Sequence, residues 1–233
     1  MGNLDALGYG FSSFFSIWQV CILQISPFFL AYVIGLYFAS GSLKVETSLG
    51  GRVVLPALSF TPGFAATYAL LTVTGLPFGR VLVYNLGTLG VIAGSYILLT
   101  SLSLMLAGRI TVFGLLRRPL VLAAVSLVLG SAFALIYSPC ITPALSEILG
   151  MAGRPETAVR GGTLAFFYAV GICLGLTVTG ATLVYLLAKI EVVARHPRIA
   201  KNACGLVVAV LAALNLSGTM IYYKAFFLGF LVG

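Results

Sequence analysis

Two cysteines sit beside prolines in otherwise apolar stretches. Cys140 lies in Tyr137-Ser-Pro-Cys-Ile-Thr-Pro143, where Pro139 and Pro143 flank the peptide Cys140-Ile141-Thr142. Cys21 precedes Pro27 by six residues in Cys21-Ile-Leu-Gln-Ile-Ser-Pro27. A proline deletes a backbone donor and clashes with the preceding turn, which costs about 3 kcal/mol in an ordinary helix interior. In lipid the freed carbonyls need neighbours or a water-lined cavity, so an interruption is expected inside protein, at Cys140 and at Pro27. A lone thiol there is at most a covalent trap. Two thiols on facing interrupted helices can form a disulfide if their Cα atoms approach within ~4.4 to 6.8 Å. Such a pair is a two-electron carrier that needs no haem, flavin or metal. It accepts electrons from a thiol through a mixed disulfide and delivers them to another disulfide. Between a reducing cytosol and an oxidising exterior the flow runs outward, with each 30 mV worth roughly 1.4 kcal/mol for two electrons.

The remaining composition says what must position these thiols. Of 233 residues 61% are apolar and 8% are charged, with a mean hydropathy of +1.14. A soluble globule of this size lacks the polar groups to cover such a chain, so an integral membrane protein is expected. The net charge of +8 raises the question of nucleic acid, but the 13 basic residues punctuate the ends of apolar runs and form no patch with interleaved aromatics. The four cysteines, Cys21, Cys140, Cys173 and Cys204, contain no CxxC and have one histidine, His196, to help them. Neither a structural zinc site nor any other cofactor is expected. The opening MGNLDALGYG has no basic leader or small-residue cleavage site, so no removable signal peptide is expected.

About 20 apolar residues cross ~30 Å of hydrocarbon, which gives room for six helical spans. They are expected at Phe14 to Ser40, Val53 to Gly75, Val81 to Leu106, Leu120 to Gly150, Gly162 to Ala188 and Ala203 to about Tyr222. The loops after spans 1, 3 and 5 carry Lys44, Arg52, Arg109, Arg117, Arg118, Lys189, Arg195, Arg198 and Lys201. The opposite side carries only Arg80, Arg154, Arg160 and Lys224, so both termini are expected outside the cytoplasm. Spans 1 and 4, each broken at proline, occupy corresponding positions in the two halves, a pattern that points to a site at a repeat interface. The fold class is therefore all-α polytopic, with six transmembrane helices as two inverted three-helix repeats. The whole of 1–233 forms one transmembrane domain: repeat one over about 1–106, a loop at 107–119, and repeat two over about 120–233. Thr72-Val-Thr-Gly75 returns as Thr177-Val-Thr-Gly180, a faint echo of duplication. Gly90 and Gly94, and Gly171 and Gly175, have the spacing for close helix approach, either as static packing or as sliding contacts. Glu147 is expected at the outer interface or in a wet cavity, and His196 in a solvated loop.

These residues resemble the CcdA family, six-span thiol-disulfide electron transporters related to the membrane core of DsbD. Ser138-Pro-Cys-Ile-Thr-Pro-Ala-Leu-Ser-Glu-Ile-Leu149 is similar to the Pro-Cys-x-x-Pro stretch of the family's fourth span, and Arg160-Gly-Gly-Thr163 to its entry into span 5. In span 1 Cys21 is followed by Pro27, Tyr32 and Gly35 as in the family, although Val20 and Gln24 stand where the family usually has proline. The resemblance implies that Cys21 and Cys140 are the redox pair and that Pro27, Pro139 and Pro143 expose it. It implies no role for Cys173 or Cys204. It further implies reduction by a cytoplasmic thioredoxin and reoxidation by an extracytoplasmic thioredoxin-like protein, commonly in cytochrome c maturation. In that case the chain is an oxidoreductase-type carrier in the cytoplasmic membrane, and access to the pair alternates between the two sides. The rival reading is a small-solute or metal-ion exporter of similar layout, whose broken helices offer carbonyls to a substrate.

Overall fold

The computed structural model describes residues 2–15, 20–40, 54–106, 119–136, 143–189 and 196–219, with 222, 225, 226 and 229 beyond them. The extended elements among them are α-helices: α1 (Asn3–Phe15), α2 (Val20–Ser40), α3 (Leu55–Thr72), α4 (Pro77–Tyr84), α5 (Leu86–Leu106), α6 (Pro119–Ile136), α7 (Pro143–Ala152), α8 (Ala158–Lys189) and α9 (Pro197–Leu216). Three of them, α5, α8 over Ala158–Leu187 and α9, are long and apolar enough to cross a bilayer. Helices α3 and α4 meet the requirement only together, as a pair bent by 103°, so the number rises to four if that pair is one span. Ser26–Phe38 of α2 and Leu120–Ile136 of α6 are apolar but shorter. The fold is all-helical among the described residues and consistent with a polytopic membrane protein.

Several boundaries differ from the expected spans, each for a local reason. Residues 3–15 already form a helix, opened by Asp5, whose Oδ2 accepts the backbone N–H of Gly2 at 2.8 Å. Helix α2 runs unbroken through Pro27, so the interruption expected there is not at that proline. Proline's fixed φ is itself helical, and neighbouring helices can absorb the single lost donor. The third span was expected from Val81, but Val81 to Tyr84 belong to α4. Leu76 is extended ahead of Pro77, as a residue before proline prefers, and that ends the run from α3. Helix α9 starts at Pro197, six residues before the expected entry, and stops at Leu216, where Gly218 takes the left-handed φ of +69° that suits glycine. Lys201, expected in a basic loop, is buried on α9 and donates from Nζ to the Met105 carbonyl at 3.0 Å.

Two helix crossings organise the bundle, and they are built alike. Helix α1 lies against α8 so closely that a Cβ on Gly10 would collide with the Tyr168 carbonyl, and one on Gly171 with the Leu7 carbonyl. Helix α6 lies against α3 in the same manner: Gly130 faces the Phe60 carbonyl and Gly63 the Leu127 carbonyl. In each crossing one helix offers leucine and glycine three apart, Leu7 and Gly10 or Leu127 and Gly130. The other offers an aromatic and glycine three apart, Tyr168 and Gly171 or Phe60 and Gly63. Small residues let backbones approach and gain dispersion contacts where lipid gives no hydrophobic drive between helices. Gly175 continues the first seam against Phe14. Elsewhere, Gly94 seats the Asn215 side chain, whose Nδ2 donates to the Gly90 carbonyl at 2.6 Å, while a Cβ on Gly90 would meet nothing. Of the four glycines expected at close approaches, Gly90 alone is in open space.

Candidate functional site

Helix α2 carries Cys21 as its second residue; the Cys21 side chain lies outside the described residues. Helix α6 ends at Ile136, immediately before the stretch that holds Pro139 and Cys140, which also lies outside them. Pro143 is the first residue of α7. The separation of the two sulfurs is thus outside what the structure describes, whereas the scaffold on which both cysteines hang is within it.

That scaffold joins the two cysteine helices at two levels. Phe29, on α2, packs edge-on to Phe60 of α3 with ring centroids 4.8 Å apart, and Phe60 packs edge-on to Phe133 of α6 at 5.6 Å. Edge-to-face contacts at this separation set the quadrupoles favourably. All three rings are buried, and Phe60 also stacks on Phe64, which stacks on Tyr68. The second level is polar. Tyr32 Oη of α2 and Ser126 Oγ of α6 are hydrogen-bonded at 2.9 Å, and Ser126 Oγ also reaches the Leu122 carbonyl at 2.8 Å. Tyr96 of α5 adds a bond from Oη to the Val125 carbonyl at 3.1 Å, so two tyrosines converge on one turn of α6. A buried hydroxyl without a partner costs more than the bond itself returns, which makes such pairs strong determinants of helix position. The sequence flagged Tyr32 only as part of the resemblance, and gave no signal for Phe60 or Ser126.

The two other cysteines are free thiols. Cys173, on α8, is 1% exposed, and its carbonyl accepts the Thr177 hydroxyl at 2.7 Å. Cys204, on α9, is half-buried beside Gly35 of α2. Glu147 is exposed on α7, and His196 is exposed as the residue before α9. No group of three His, Cys, Asp or Glu side chains that could hold a metal occurs among the described residues.

At the opposite end of α3, the turn that follows it docks on the α7 to α8 connection. The Gly75 N–H donates to the Ala152 carbonyl at 3.0 Å, and a Cβ on Gly75 would press on Arg154. Thr157 Oγ1 donates to the Met151 carbonyl at 2.7 Å and holds that connection in shape. Helix α7, the helix that follows Cys140 in sequence, is thereby tied to the end of α3.

The chain is similar to the cytochrome c-type biogenesis protein CcdA of Halalkalibacterium halodurans, 25% identical over 172 residues that cover 70% of each chain. It is similar to a putative cytochrome c-type biogenesis protein of Haemophilus influenzae, 27% identical over 172 residues with the same coverage. A third relative, the thiol:disulfide interchange protein DsbD of Ralstonia nicotianae, is 26% identical over 201 residues, which span 77% of this chain and 30% of that one. No family model and no solved structure matches the chain. Agreement of these relatives with one another, over most of the length of this chain, supports its assignment to the CcdA/DsbD family.

Proposed function

We propose that the chain is a membrane electron carrier that works by thiol-disulfide exchange between Cys21 and Cys140. The observation that carries this reading is the coupling of α2 to α6 through Phe29, Phe60 and Phe133 and through Tyr32 and Ser126. The helix that carries Cys21 in its first turn and the helix that leads into Cys140 are neighbours of one buried centre. The relatives named for thiol:disulfide interchange and cytochrome c biogenesis favour the same chemistry.

The alike glycine crossings support the duplication. Gly10 and Gly130 are equivalent in their contacts, as are Gly171 and Gly63. Cys21 follows Gly10 by eleven residues and Cys140 follows Gly130 by ten, so the thiols stand at matching points of two related segments. In this reading the six spans form two inverted halves, with Pro139 and Pro143 opening the backbone around Cys140.

The exchange balances without a cofactor. A thiolate of a cytoplasmic thioredoxin attacks the Cys21–Cys140 disulfide and forms a mixed disulfide while one membrane sulfur leaves as thiolate. The second thioredoxin thiol then attacks the mixed disulfide and departs oxidised, leaving a membrane dithiol. Two electrons and two protons have moved. The dithiol repeats the exchange on a thioredoxin-like protein outside, with the pair exposed to each side in turn and both termini of the chain outside the cytoplasm.

The test replaces Cys21 or Cys140 by Ala and offers a thioredoxin that lacks its resolving cysteine and carries its attacking cysteine as a mixed disulfide with thionitrobenzoate, which departs as the thiolate when the remaining membrane thiol attacks. The remaining thiol should trap it as a mixed disulfide, and trapping that depends on Cys173 or Cys204 instead would overturn the pairing. The exporter reading predicts that substrate transport survives both replacements.

A further inference from the structure

Among the described residues, helix α4 is a short helix with little buried surface. Gly79 is its only buried residue, seated against the Val73 carbonyl so closely that a Cβ would collide. Apart from the half-buried Leu82, its other side chains face outward: Phe78 is 62% exposed, Val81 61% and Tyr84 93%. Its axis turns 103° from α3, and α5, which is long enough to cross the bilayer, begins at Leu86. The bend takes α4 out of the line of α3 before α5 begins.

Arg80 Nε donates to the Thr74 carbonyl at 2.9 Å, and Asn85 Nδ2 to the Val81 carbonyl at 2.8 Å. The Thr74 carbonyl lies just past the end of α3, and the Val81 carbonyl, which also accepts the Asn85 backbone N–H at 3.1 Å, lies in the last turn of α4, so Arg80 and Asn85 fold their polar ends back onto backbone. The apolar exposure is continuous with that of α5, where Val91, Ile92, Leu99 and Leu102 also face outward. Aromatic side chains with one polar tip, such as Tyr84, favour the interface between headgroups and acyl chains.

We propose that α4 is an interfacial helix and that its partner is the lipid bilayer itself, with Phe78, Val81 and Tyr84 embedded at the boundary between headgroups and acyl chains. The helix anchors the bend between α3 and α5 at a fixed depth, and the α7 to α8 connection docked on Gly75 is held at that depth with it.

The test uses the full chain. Trp18 is the single tryptophan, so Tyr84→Trp and, separately, Val81→Trp are made in a Trp18→Phe background. The purified proteins are reconstituted in phosphatidylcholine vesicles, with or without bromine on the acyl carbons nearest the headgroup. Leu102→Trp on α5 serves as the lipid-facing reference. The expected result is emission at short wavelength, a loss of about half the intensity in brominated lipid, and little quenching by aqueous iodide. Quenching by iodide and not by bromolipid would mean that α4 faces water and would overturn the proposal. Quenching by neither would mean that protein covers it, a second copy or a soluble partner, and would overturn it equally. If the Tyr84 variant does not fold, the Val81 variant gives the same decision.

Discussion

Tyr32 Oη and Ser126 Oγ are hydrogen-bonded at 2.9 Å between the helix that carries Cys21 and the helix that leads to Cys140. Both residues are buried, and Ser126 keeps a second bond to its own helix at Leu122. The two ends of the bond are therefore unequal. Removing the tyrosine hydroxyl leaves the serine satisfied, whereas removing the serine hydroxyl strands the tyrosine.

From that asymmetry, Tyr32→Phe should destabilise by about 0.5 to 1.5 kcal/mol and Ser126→Ala by roughly 1 to 3 kcal/mol. The double variant should cost less than the sum, since it removes the stranded group. Reversible unfolding in mixed micelles, run on all three proteins, gives the comparison. Equal losses from the two single variants would show that the bond does not tie the helices as described.

The glycine seams predict a sharp contrast between neighbours in sequence. Gly10→Ala and Gly63→Ala each drive a Cβ into the backbone of the facing helix and should cost about 1 to 3 kcal/mol, the range of core overpacking. Gly8→Ala, two residues from Gly10, puts its Cβ in open space and should be neutral or slightly stabilising. Thermal inactivation in detergent by size-exclusion recovery distinguishes them.

Lys201 predicts a stability effect outside the redox chemistry. Its Nζ caps the carbonyl of Met105 at the end of α5, where a cation meets the negative end of the helix dipole. Lys201→Met keeps the buried stem and removes the charge, and should lower stability by up to ~2 kcal/mol with thiol exchange intact. A melting curve paired with a thiol-trapping assay checks both halves.

Thiol counting tests the assignment of the pair. Maleimide-polyethylene glycol added to denatured protein should report two more reactive thiols after reduction than after oxidation. That difference should vanish in Cys21→Ala and in Cys140→Ala, and persist in Cys173→Ala and Cys204→Ala. Persistence in Cys21→Ala is the outcome that removes Cys21 from the pair.

Much of this was legible in the residues because lipid imposes simple rules. Apolar runs of sufficient length gave α5, α8 and α9 with modest boundary errors, and two proline-flanked cysteines drew attention to α2 and to the stretch after α6. What the residues hid is tertiary. Gly10, Gly63 and Gly130 carry no local signal, because a glycine becomes a crossing point only when another backbone arrives. The stretch Val73 to Leu76 reads as the end of one span, with the next starting at Val81, since Gly75-Leu-Pro77 punctuates a helix whether or not another helix follows at an angle. Pro27 was expected to break α2 because the cost of a proline is counted in isolation, while packing from several helices offsets it. The start of α9 is not legible in the residues because a charged side chain such as Lys201 reads as solvated, and the facing carbonyl of Met105 explains its burial.

Because α1 is seated on α8 and α6 on α3, neither half of the chain contains the partner of its own first helix. During synthesis Gly10 emerges long before Gly171, and at ~5 to 20 residues per second that seam stays open for roughly 10 to 30 s. A nascent chain in this position needs shelter from the insertion machinery until α8 arrives. Severed between the halves, the two fragments should each be degraded when made singly and should accumulate only when made together.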